Sequence, residues 1–196
     1  GDIFLVKYNS SGTKQWTKQL GTSAMDVVRD PAIDSSGDVY VAGQTAGGLD
    51  GNTNVGSYDI FLVKYNSSGT KQWTKQIGTS SDDLSHRIAI DSNGNIYVTG
   101  YTYGGLDGNT NIGSYDVILL KYNSSGTKQW TQQLGTTSGE SGSGVAVDSN
   151  GNVYVAGSTL GGLDGNVNTG LGDIFLVKYN SSGTKQWTKQ LGTSAM

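Results

Sequence analysis

The first 25 residues, GDIFLVKYNSSGTKQWTKQLGTSAM (Gly1–Met25), return without a change as Gly172–Met196. Related copies begin at Asp59 and Asp116, so Asp2, Asp59, Asp116 and Asp173 are equivalent positions. Each follows the last by 57 residues. A fixed period of that length marks an array of one supersecondary unit, which buries its apolar surface only against its neighbours.

One unit, followed from Asp83 to Gly135, contains four short strands and two tight turns. Arg87-Ile88-Ala89-Ile90 is an apolar run that ends in Asp91-Ser92-Asn93-Gly94-Asn95. The Asn-Gly pair at its centre is a strong hairpin signal. Ile96–Thr102 is rich in β-branched and aromatic residues, as a strand requires. A polar connection (103–115) leads to Asp116–Tyr122, and Asn123–Thr127 turns the chain into Lys128–Gly135. No helical period is present. In Ile60–Tyr65 both alternating sets are mainly apolar, which predicts cover on both faces. Lys71–Ile77 sets Gln, Thr and Gln against Trp, Lys and Ile, the pattern of a half-exposed strand with edge-protecting lysines. Gly144-Val145-Ala146-Val147 is small enough for a place where sheets converge. Lettered A to D from that inner strand outward, the pattern predicts an all-β fold, a β-propeller of four-stranded antiparallel blades.

Composition narrows the function classes. Thirteen Lys and Arg against sixteen Asp and Glu give a net charge of −3, which leaves no basic face for nucleic acid. No apolar run approaches the roughly 18 residues of a membrane span. There is no cysteine, hence no disulfide or thiolate metal site, and 31 glycines with one proline describe turns built on Gly and Asn. Gly1 falls in mid-repeat with no initiator Met or signal peptide, so the chain reads as a piece of a longer array or a processed product.

The runs DIFLVKYNSSGTKQWTKQLG and IAIDSNGNIYVTGYT resemble the bacterial β-propeller repeat known as the SBBP repeat, named for a seven-bladed propeller. The likeness extends over nearly the whole chain. It implies a propeller fold and a secreted or bacterial cell-surface protein, and it assigns no activity.

The units divide as a C–D half blade (1–22) and three blades (23–79, 80–136 and 137–196), about three and a half blades in a single array. Three blades do not close a ring, since propellers use roughly four to eight. Two chains supply six A–B halves and eight C–D halves, enough for six closed blades with two hairpins to spare. Because the first and last C–D hairpins are identical, they compete for one slot. The expectation is a homo-oligomer, with a dimer favoured and exchange of hairpins between chains.

Candidate binding residues lie in the connections. The D–A segments (23–31, 80–87 and 137–144) vary most between copies and carry Arg29, Asp30, Asp82, Asp83, His86, Arg87 and Glu140. A fixed frame with one variable loop set is how scaffolds present ligand-binding groups, although a tolerant surface loop drifts in the same way. The B–C connections are nearly invariant. They space oxygen side chains at positions 1, 3 and 5, with an aspartate nine residues after the first. The sets are Asp50, Asn52, Asn54 and Asp59; Asp107, Asn109, Asn111 and Asp116; and Asp164, Asn166, Asn168 and Asp173. That spacing has features of a calcium loop. It departs at position 6, which is Val55, Ile112 or Thr169 in place of glycine, and lacks an acid at position 12. An Asn/Gly turn that bonds its own backbone accounts for the same residues, so calcium is one possible cofactor and none is required.

His86 is the single histidine and has no repeated nucleophile beside it, so no catalytic residues are assigned and no enzymatic activity is expected. Trp16, Trp73, Trp130 and Trp187 could stack on sugars, but a repeated Trp on a strand points to packing between blades. The sequons at Asn9, Asn66, Asn123 and Asn180 are explained by the tight turns they occupy. The leading expectation is a scaffold presenting its D–A and B–C loops to protein or glycan. A self-assembling structural propeller is second, and a hydrolase or lyase using the loop acids is third.

Overall fold

The structure is a computed structural model that describes residues 1–194; the last two residues of the 137–196 unit lie outside the described residues. Its strands are β1 (Ile3–Tyr8), β2 (Lys14–Leu20), β3 (Asp26–Ile33), β4 (Val39–Thr45), β5 (Asp59–Tyr65), β6 (Lys71–Ile77) and β7 (Asp83–Ile90). The series continues with β8 (Ile96–Thr102), β9 (Asp116–Tyr122), β10 (Lys128–Leu134), β11 (Glu140–Val147), β12 (Val153–Thr159), β13 (Asp173–Tyr179) and β14 (Lys185–Leu191). They form three four-stranded antiparallel sheets, β3-β4-β5-β6, β7-β8-β9-β10 and β11-β12-β13-β14, and the two-stranded sheet β1-β2. Each sheet keeps chain order from strand A to strand D, as expected of propeller blades, and among the described residues the array does not close on itself.

Three apolar seams join the sheets face to face. Ile3, Leu5, Trp16 and Leu20 of the half blade meet Val41, Phe61 and Val63 of the first full blade. The opposite face of that blade, with Tyr40, Ala42, Ile60 and Leu62, meets Ile88, Val98, Ile118 and Leu120. Tyr97, Val117 and Leu119 then meet Val153, Val155, Phe175 and Val177. Strand C is therefore apolar on both sides because it serves two seams at once, and β5 and β9 are buried almost end to end.

Identical sequences differ in burial according to their neighbours. Ile60 is 1% exposed, whereas its copy Ile174, on a face with no blade in front of it, is 63% exposed. Phe61 is fully covered, whereas Phe4, whose half blade lacks strands A and B, is 71% exposed.

Three of the strand D tryptophans, Trp16, Trp73 and Trp130, span a seam. The indole of Trp73 packs against Tyr40, with ring centroids 5.9 Å apart. Its Nε1 donates to the Ser124 carbonyl in the next blade's C–D turn. Gly126 in that turn has a positive φ and lies so close to the ring that a Cβ there would come within 2.9 Å of it. Trp16 repeats the contact with Ser67 and Gly69, and Trp130 with Ser181 and Gly183. Glycine is thus required both by the left-handed turn and by the indole above it.

Three features depart from the sequence reading. Strand A starts at Asp26, Asp83 and Glu140, so most of each D–A segment read as a loop is strand. Inside each B–C connection, read as a polar Asn/Gly turn, a 3₁₀ turn forms at Leu49–Gly51, Leu106–Gly108 and Leu163–Gly165. The central aspartate is left-handed (φ 51° at Asp50), and the leucine inserts into the core. Each strand A also carries one extra residue. Val28 pairs with Gly43 and Asp30 with Ala42, so Arg29 bulges; His86 and Ser143 bulge at the same place in β7 and β11. Among the described residues no helix is long and apolar enough to cross a membrane.

Because Trp130 lies in a complete seam and Trp187 has no following blade, truncation should separate the two. In denaturant melts, Trp130→Ala should cost about 3 kcal/mol, and Trp187→Ala less than about 1 kcal/mol.

Candidate functional site

The D–A and B–C connections meet on one side of the blades. Their frame is an acidic residue at the head of each strand A. The buried Asp83 carboxylate accepts hydrogen bonds from the Thr79 backbone N–H, the Thr79 hydroxyl and the Thr102 hydroxyl at the end of β8. Glu140 receives the same three from Thr136 and Thr159, and Asp26 from Thr22 and Thr45. Burial pushes the Asp83 carboxyl above its ordinary range, against the lowering effect of its threonine bonds. Asp83 and Glu140, expected on the loop surface, are fully buried and serve as fasteners between strands A and B. Asp30 has also turned to the frame, accepting the backbone N–H of Ile88 at 3.1 Å and so tying two inner strands together.

The variable groups left free of that frame gather at the inner end of the middle blade. The bulge aims His86 across the seam, where its Nδ1 donates to the Gly142 carbonyl at 3.0 Å. A carbonyl only accepts, so Nδ1 carries the proton and Nε2 is left as an acceptor. Ser141 Oγ lies 3.4 Å from the same nitrogen. The His86 ring stands edge-on to Tyr101 at 5.2 Å. Tyr101, Tyr103 and Tyr115 form a triangle with centroids 5.1 to 5.8 Å apart. Tyr115 lies over Gly139, where any larger residue would meet its ring. Tyr103 is 42% exposed and forms the outer side of the triangle.

Arg29 borders the cluster from the preceding blade, its Nε donating to Gln44 at 3.0 Å. Burial lowers the His86 pKa, and the charges of Arg29 and Arg87 lower it further, against the raising effect of the Gly142 bond. Burial raises the Tyr101 pKa, and Tyr103, Tyr115 and Asp82 add to this. Asp82 Oδ1 is buried with no hydrogen-bond partner among the described residues. Arg87 is exposed and bonds the His86 carbonyl.

Sequence reading found Arg29, Asp82 and His86 but missed the three tyrosines. Tyr101 stands where the other copies have Gln44 and Ser158, and Tyr103 where they have Ala46 and Leu160. Comparing copies at the end of strand B, beyond the D–A segment, would have revealed Tyr101 and Tyr103, whereas Tyr115 is shared with the first copy as Tyr58.

The B–C oxygens divide among internal partners in place of converging on an ion. Asp50 pairs with Lys71 and accepts the Thr74 hydroxyl, both on strand D; Asp107 and Asp164 do the same with Lys128 and Thr131 and with Lys185 and Thr188. Asn52, Asn109 and Asn166 donate to the carbonyl of the 3₁₀ leucine, and Asn54, Asn111 and Asn168 to that of a following glycine. Asp59 accepts from the Val55 N–H and from Gln76. The Gln76 amide is the hub. Its Nε2 donates to Asp59 and to the Gly47 carbonyl, with Asn54 Oδ1 at 3.3 Å, while its Oε1 accepts the Leu49 N–H. Gln133 joins Gly104, Leu106 and Asp116 in this way, and Gln190 joins Gly161, Leu163 and Asp173. Among the described residues no three His, Asp or Glu side chains gather as metal ligands. A lysine ammonium and a neutral glutamine amide thus donate to the B–C acids.

Stacked four-stranded antiparallel sheets with fastened loops and an inner-edge bulge define an array of propeller blades. The chain belongs to the beta-propeller repeat (SBBP) family, which it matches at residues 15–50, 72–107 and 129–164, together more than half of its length. It is 26% identical over 222 residues to the regulatory protein FlaEY of Caulobacter vibrioides, covering 97% of this chain and 23% of that protein. It is 26% identical over 261 residues to an uncharacterized WD repeat-containing protein of Acanthamoeba polyphaga mimivirus, covering 98% of this chain and 18% of that one. The chain thus spans about a fifth of the length of these curated relatives.

His86 gives the site a pH signature. Its folded pKa lies below the ordinary 6.5, so the unfolded chain takes the proton more readily. The stability tied to neutral His86 is complete above the unfolded value and is lost as pH falls through the depressed folded value. Thermal melts at about pH 7.5 and about pH 5 should therefore differ less for His86→Gln than for the parent.

Proposed function

We propose that this chain is a propeller-repeat scaffold whose loop face binds a carbohydrate at the tyrosine cluster of the middle blade. The observation that carries the reading is the gathering of Tyr101, Tyr103, Tyr115, His86 and Arg29 at positions the repeat leaves free, around the outward edge of Tyr103. Tyrosine faces take the C–H side of a pyranose while their hydroxyls bond its rim. The unprotonated Nε2 of His86 and the Asp82 carboxylate accept sugar hydroxyls, and Arg29 donates to them. The loop acids support binding over acid–base chemistry, because Asp83 and Glu140 are held inside by threonines.

A second reading, self-association into a closed propeller, is favoured by the end faces. Ile174, Leu191 and Phe4 are exposed there, while their counterparts in the middle of the array are covered. Apolar patches of this kind on a soluble protein mark association surfaces.

A glycan array probed with the chain and with Tyr103→Ala tests the first reading. The parent should bind a restricted set of glycans, and the variant should bind them about tenfold more weakly, a loss near 1.4 kcal/mol, with an unchanged melting temperature. Absence of binding across the array, or equal binding by the variant, would refute the site.

A further inference from the structure

We infer that two copies of this chain close a six-bladed ring by exchanging strands: β11–β12 of one copy pair with β1–β2 of the other. The proposal rests on the self-association reading and specifies its geometry.

Three separate faces of the chain lack a partner, and one exchange accounts for all three: it covers the first two and replaces the strands lining the third with identical ones already packed on a blade. First, β1 pairs only with β2, so among the described residues its other edge carries unused backbone donors and acceptors. In every complete blade that edge is occupied by strand B, as β4 occupies β5 and β12 occupies β13. Second, Val28 and Ile33 on β3 are exposed, while the equivalent Ser85 and Ile90 on β7 are covered by the blade before them. Third, an apolar groove of about 680 Å³ opens on the last blade, lined by Gly144, Ala156, Ile174, Leu176 and Leu191. Between the middle blades the same ground is covered by the next blade's strand A: β7 packs on β3, β4 and β5.

Sequence identity states which occupant fits. Residues 1–20 repeat 172–191 without a change, so β1–β2 presents to β12 the same side chains and backbone as β13–β14. The register transfers directly. Val155, which pairs with Val177 in its own blade, would pair with the second copy's Val6, and Gly157, which pairs with Phe175, would pair with Phe4. Phe4 would thereby gain the cover that keeps Phe175 at 3% exposure.

The hybrid blade then comes already attached to the next one, because β1–β2 packs on the first full blade through the Ile3, Trp16 and Leu20 seam. The Ala156 side of β12 would meet β3 of the second copy. Where Gly142 packs against Thr99 between the second and third full blades, the new seam sets Val28 against the smaller Ala156. Done reciprocally, the exchange gives six blades, within the range that closes, and releases one β13–β14 hairpin per copy. Exchange of identical hairpins preserves contacts inside the hybrid blade, so closure of the two new seams is what favours the pair of chains.

The chain has no cysteine, which makes disulfide trapping clean. Its solution mass should be twice 20.5 kDa at roughly 100 μM. Val6→Cys/Val155→Cys should oxidise to a covalent dimer on non-reducing gels, whereas Val155→Cys/Val177→Cys should fail to close within the chain once the dimer has formed. Phe4→Asp, exposed in the lone chain and hence compatible with its fold, should weaken dimerisation at least about tenfold. A two-copy mass in which the 6/155 pair stays unlinked while the 155/177 pair closes would overturn the exchange and leave self-association standing. Dimerisation unaffected by Phe4→Asp would do the same. A single-copy mass at that concentration would overturn both.

Discussion

Everything in this molecule depends on the burial of one blade's apolar face against the next. The strands are short, the chain is poor in large hydrophobic residues, and a lone four-stranded sheet with two apolar faces would leave both in water. Stacking covers them, so the unit of stability is the seam more than the sheet. The tryptophan of strand D makes this explicit: it is anchored in its own blade by tyrosine and completed by the next blade's glycine and turn carbonyl. The same residues therefore have different standing at the middle and at the ends of the array, as Ile60 and Ile174 illustrate.

A second layer of order holds the connections. Carboxylates at the head of strand A, threonines on either side of them and the strand D glutamine satisfy the backbone where the chain leaves the sheet. These groups look like ligands in a linear sequence because binding sites and loop fasteners draw on one vocabulary of Asp, Asn, Thr and Gln. Their partners distinguish them. An acid that faces threonine hydroxyls inside the seam is consumed, whereas Asp82 keeps one buried oxygen without a partner.

The repeat made the architecture legible. The 57-residue period, the Asn-Gly turn and the two-sided apolar strand C led to four-stranded blades and to strands B, C and D, whereas strand A begins four residues before the apolar run that marked it, as β7 shows. The candidate site was only partly legible. Arg29 and His86 stood out by varying between copies, but their role as bulge residues depends on a register shift between strands A and B that no periodicity encodes. Tyr101 read as an ordinary strand residue, since aromatic side chains favour strands, and Tyr103 and Tyr115 as the two ends of a polar connection; only the folding back of that connection makes them a cluster. Asp83 and Glu140 were misjudged as loop-surface groups because their partners on strand B, Thr102 and Thr159, lie 19 residues away and come into reach only after the hairpin closes.

The bulge at the inner strand separates what holds the blade from what varies in it. An inserted residue has no opposite number in the ladder, so its identity can change without disturbing register, seam or fastener. Arginine, histidine and serine already share that place in a chain whose strands are otherwise near copies. Gene duplication followed by drift at a single codon per blade could thus rewrite the chemistry around the axis one sector at a time, with the architecture inherited intact.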